Sequence, residues 1–128
     1  MKNNTVMLTI ASLLAMVLFS FHWADDIVRG FAPGGVSGLG GVLITVVWLY
    51  GTLVLGERRS GHIIMLLVGL FAAGMPVIHM RGAHYPEIAK SAGGFFFVWT
   101  LWALGGLGGL TFVLAARGLW RLRRGQPR

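Results

Sequence analysis

The chain has 128 residues, 55% of them hydrophobic and only 12% charged, with a mean hydropathy of +0.74. Soluble domains carry roughly 25% charged residues, and a chain this short has too little polar surface to wrap so large an apolar content. The net charge of +7 is split into short basic clusters between apolar stretches, which suits anionic lipid headgroups and argues against nucleic acid.

Four apolar runs follow one another, over residues 6–21, 36–55, 63–78 and 92–116. A membrane-spanning helix needs about 20 apolar residues, and these runs reach that length with their flanks. They lack the alternating polarity of barrel strands. The pattern predicts an all-α integral membrane protein, one domain of four transmembrane helices in a bundle, over about residues 5–29, 35–56, 61–80 and 91–117. The first run follows Lys2 but leads into His22-Trp23-Ala24-Asp25, without a small-residue cleavage site, so it is read as a retained helix.

Lys and Arg set the orientation. Lys2, Arg58, Arg59, Arg117, Arg121, Arg123, Arg124 and Arg128 fall on one side; Arg29, Arg81 and Lys90 fall on the other. Eight against three places both termini in the cytoplasm. Size and composition resemble those of small multi-pass proteins of the bacterial cytoplasmic (inner) membrane, and that is the expected location.

The first helix ends in a polar stripe, His22, Asp25, Asp26 and Arg29, at i, i+3, i+4, i+7 spacing on one face. Gly30 and Pro33 follow as a cap and a stop. Gly34 with Gly38 at the start of the second helix, and Gly105 with Gly109 in the fourth, are G-x-x-x-G pairs. Packing within one bundle is the favoured use of both; a homodimer face on the fourth helix, or membership of a larger membrane complex, is the alternative. Pro76 should free the carbonyl of Ala72 and bend the third helix. His62 reads as an interfacial residue at a helix start. Trp99 and Trp102 share a face, which reads as bundle packing. Thr45, Thr52, Thr100 and Thr111 can bond their own helix backbones. The segment 117–128 reads as a basic helical extension lying on anionic headgroups.

His79 ends the third helix, and Arg81, His84 and Glu87 follow in the longest loop, on the same side as the His22 stripe. The first expectation is an ion-pair clamp in a structural or accessory membrane protein, with Asp25 and Asp26 pairing with Arg29 and Arg81. The alternative is a binding site. His22, Asp25, Asp26, His79, His84 and Glu87 could hold a metal or small ligand, and Arg29 and Arg81 a lipid phosphate or other anion. Nitrogen and oxygen donors suit zinc, iron or manganese, and the chain has no cysteine to add sulfur. No nucleophile motif supports catalysis. No charge lies near the bilayer centre, which counts against a proton-coupled pump or a charged ion filter.

Overall fold

A computed structural model describes residues 2–32, 35–82 and 85–125. All of its regular structure is helical: α1 (Lys2–Val28), a 3-10 turn (Gly35–Gly38), α2 (Leu39–Leu53), α3 (Arg59–Met80), the short α4 (Tyr85–Lys90) and α5 (Gly94–Arg123). Three helices, α1, α3 and α5, are long and apolar enough to cross a membrane. α2 is shorter at 15 residues, about 22 Å at 1.5 Å per residue. Its run begins among Gly35, Gly38, Gly40 and Gly41, which are weak helix formers, and the first turn there tightens to 3-10 geometry.

α3 and α5 pack most closely, α1 lies against α5, and α2 runs along the edge against α3 and α1. Small residues permit the α3–α5 contact. A Cβ added to Gly108 would stand 2.6 Å from the Ala72 Cβ, and one added to Gly69 would stand 2.9 Å from the Gly108 carbonyl oxygen. Gly105 receives the ring of Pro76, so the proline that opens the α3 backbone is seated against a glycine. Gly109 meets open space. The close-packing pair on α5 is therefore Gly105 with Gly108, and the expected partner Gly109 faces away from the bundle. Gly38 is buried at the start of α2, and Gly34 lies outside the described residues.

The apolar windows of the three long helices are only 39%, 28% and 39% buried. Most of their apolar surface points outward, as lipid demands and water would not tolerate. Trp99 and Trp102 belong to that outward face, at 53% and 55% exposed, and do not pack in the bundle. Trp48 does, at 0% exposed, donating from its indole to the Ser12 hydroxyl at 2.8 Å, while Ser12 and Thr52 are bonded at 2.8 Å. This triad ties α1 to α2. Each threonine expected to bond its own helix does so, to Gly41, Trp48, Phe96 and Leu107. His62 lies in the first turn of α3 and is buried, its Nδ1 on the Arg58 carbonyl and its ring against Gly118.

Candidate metal centre

At one end of the bundle α1, α3 and α5 converge on polar atoms. His22 and Asp26 are four residues apart on the last turns of α1, so their side chains share a face. The helix then stops on Gly30, whose φ of +78° is open to glycine at little cost. The Gly30 amide bonds the Ile27 carbonyl and the Phe31 amide bonds the Asp26 carbonyl at 2.8 Å, the paired bonds of a Schellman cap. The cap fixes the Asp26 backbone. α3 supplies His79 one turn beyond Pro76, and α5 supplies Phe97 and Thr100.

His22 is 0% exposed and Asp26 is 6% exposed. Asp26 Oδ2 lies 3.1 Å from His79 Nε2 and 3.9 Å from His22 Nε2. One ligand-capable atom from each of the three residues falls within 4.8 Å of the others. Among the described residues this is the group of three or more with metal-ligating spacing.

The outer hydrogen bonds decide what those atoms present. His79 Nδ1–H donates to the Met75 carbonyl at 3.0 Å. A neutral His79 held that way turns the Nε2 lone pair toward a carboxylate oxygen. Two lone pairs at 3.1 Å repel, so a proton or a cation must lie between them. The Thr100 hydroxyl donates to the Phe96 carbonyl at 2.9 Å, leaving its oxygen to accept from His22 Nδ1–H at 3.5 Å. That tautomer also directs Nε2 inward. His22 Nε2 and Asp26 Oδ1 are buried and have no hydrogen-bond partner. A buried orphan polar atom costs about 1–3 kcal/mol, more for a charged group, and so calls for a partner.

Phe97, 1% exposed, seals one flank, its ring centroid 4.8 Å from that of His22. Beyond it lies Arg29, with its guanidinium carbon 5.6 Å from the Phe97 centroid. Arg29 Nε donates to Asp25 Oδ2 at 2.7 Å, and Nη1 donates to the Ser91 hydroxyl at 3.1 Å.

The polar stripe of α1 thus divides. His22 and Asp26 turn inward to meet His79, while Asp25 and Arg29 form a separate pair that reaches the α4–α5 connection. Arg81, expected to pair with an aspartate, is exposed at the C-terminal cap of α3 and forms no ion pair among the described residues. Glu87 lies exposed in α4 and does not join the triad. His84 lies outside the described residues. Thr100 and Phe97 were not anticipated as parts of the site. Thr100 looked self-satisfied on its own helix, and nothing in its local sequence marks the histidine facing it.

No family model, no curated protein and no solved structure matches this chain.

Proposed function

We propose that this is a small metal-binding protein of the bacterial inner membrane, with both termini cytoplasmic and the centre facing outward. His22 Nε2, the Asp26 carboxylate and His79 Nε2 hold one divalent transition-metal ion. The observation that carries the reading is the convergence of His22 Nε2, a buried orphan atom, with Asp26 Oδ2 and His79 Nε2, on a carboxylate whose other oxygen is also buried and unmet. Ligand atoms around tetrahedral zinc stand about 3.3–3.6 Å apart, from bond lengths of about 2.0–2.2 Å. The separations from Asp26 Oδ2, 3.1 and 3.9 Å, bracket that range, and with all three atoms within 4.8 Å of one another, side-chain rotation closes the site. The Met75 carbonyl and the Thr100 hydroxyl are the outer partners that orient metal-bound imidazoles. Two histidines and one carboxylate, without sulfur, suit zinc, iron or manganese and leave a coordination position for water or a ligand. The orientation rests on the eight-to-three division of Lys and Arg.

The ion-pair clamp survives as a second reading in reduced form. Arg29, bonded to Asp25 and Ser91, pins the end of α1 to the α4–α5 connection beside the centre.

The test is elemental analysis of untagged protein in mild detergent, beside a His22→Ala, His79→Ala variant, after zinc, iron and manganese have each been offered. One ion at near-stoichiometric level in the native protein, lost in the variant, is expected. Absence of metal from the native protein, or equal metal in both, would refute the reading.

A further inference from the structure

α5 runs for 30 residues from Gly94 to Arg123, about 45 Å at 1.5 Å per residue. The hydrocarbon layer is about 30 Å thick. A helix that starts beside the His22 centre therefore carries its last three turns out of the hydrocarbon at the far end. Those turns bear Arg117 and Arg121, and the capping residue after them is Arg124, at i, i+4 and i+7. Together with Ala116 and Trp120 they line an open cleft of about 470 Å³.

The cleft is built for a phosphate at a lipid surface. Trp120 is 60% exposed, and the Arg124 guanidinium carbon stands 4.5 Å from the centroid of its ring, which holds that cation over the cleft. None of the three arginines pairs with a carboxylate among the described residues. Guanidinium groups present forked donors that match phosphate oxygens. One turn below Arg117 on the same face is Val113, 51% exposed. Apolar surface directly under a cationic rim fits an acyl chain beneath a headgroup. Inorganic phosphate, or the sugar-phosphate backbone of a nucleic acid, would make no use of it.

The geometry points to an anionic-phospholipid site at the C-terminal end of α5, in which Arg117, Arg121 and Arg124 hold the headgroup phosphate and Trp120 sets its depth. The site stands apart from the metal centre and does not depend on it.

The experiment uses the full chain in nanodiscs of phosphatidylcholine containing phosphatidylglycerol, with retained lipid counted by native mass spectrometry. The native protein should keep phosphatidylglycerol over phosphatidylcholine. Each Arg→Gln change should weaken the preference about fivefold, and the Arg117→Gln, Arg121→Gln, Arg124→Gln triple variant about a hundredfold. The thermal unfolding midpoint in mild detergent, unchanged in the triple variant, checks that the fold survives. An unchanged lipid preference in that variant overturns the proposal. So does displacement of the lipid by millimolar inorganic phosphate, or by an RNA oligonucleotide at equal concentration.

Discussion

Asp26→Asn separates a metal centre from an ion-pair clamp by the sign of its effect. The two side chains are nearly isosteric, so packing against His22 and His79 is kept. In the metal-free protein Asp26 is 6% exposed and its Oδ1 has no partner. Replacing a buried, half-satisfied carboxylate by a neutral amide removes a desolvation penalty of about 1–3 kcal/mol. The amide can also donate to the lone pair that His79 Nε2 presents at 3.1 Å. The chelated variant should therefore be as stable as the native protein or more so. Metal reverses the order. At a zinc concentration one hundred times Kd the native protein gains about 2.7 kcal/mol, a rise in Tm of roughly 8–16 °C for a chain of this size. The variant lacks the anionic ligand and should show no rise. Thermal unfolding in mild detergent, with chelator and then with zinc, reads both signs. A chelated variant that melts well below the native protein while keeping the zinc-dependent rise would sink the metal reading and restore the clamp.

Thr100→Val removes the acceptor facing His22 Nδ1 without changing side-chain shape. Zinc affinity, measured by competition with a chromogenic chelator, should fall about 10- to 100-fold, with Thr100→Ser restoring it; equal affinity in all three proteins excludes a positioning role. Gly108→Ala should destabilise by about 1–3 kcal/mol through its contact with Ala72. Gly109→Ala, facing open space, should be neutral or gain about 0.5–1 kcal/mol. The reverse order in a denaturation series would contradict the described α3–α5 packing. Ser12→Ala should cost about 0.6–1.7 kcal/mol by stranding the Trp48 indole, and the Ser12→Ala, Trp48→Phe double variant should lose less than the sum of the two single losses. A strictly additive double variant would show that the bond between them contributes nothing.

The three long helices were legible because hydropathy depends on neighbours along the chain and lipid imposes one length; the 15-residue α2 falls short of the expected span, and the short α4 lies in the expected loop. The cap at Gly30 was legible for the same reason, since a glycine after a polar terminal turn carries its own signal. What the sequence could not disclose is rotation. His22, Asp25, Asp26 and Arg29 satisfy one helical spacing, yet the backbone turns His22 and Asp26 inward and leaves Asp25 with Arg29 at the flank. That choice depends on where α3 and α5 stand, and nothing within residues 22–29 encodes it. The same blindness applies to Gly109. Its spacing from Gly105 matches a packing motif, but Pro76 and Ala72 meet Gly105 and Gly108, one position nearer. Thr100 was hidden differently, because its bond to its own helix accounts for the hydroxyl proton and draws attention away from the oxygen lone pairs.

The two polar features near the C-terminal end of α1 also have different energetic standing, which bears on which of them is functional. Asp25 and Arg29 are partly solvated, at 19% and 18% side-chain exposure, and bonded to each other. Such a pair contributes about 0.2–1 kcal/mol, enough to orient a loop. His22 and Asp26 are nearly dry and incompletely bonded. A fold seeking only stability does better with apolar residues at those positions, because a buried carboxylate recovers its desolvation only when all its lone pairs are met. The unmet atoms are a standing cost in the metal-free protein. A divalent cation offsets it by meeting His22 Nε2 and the Asp26 carboxylate together. The clamp reading leaves that cost uncompensated, and for this reason the metal is the stronger account of residues 22, 26 and 79.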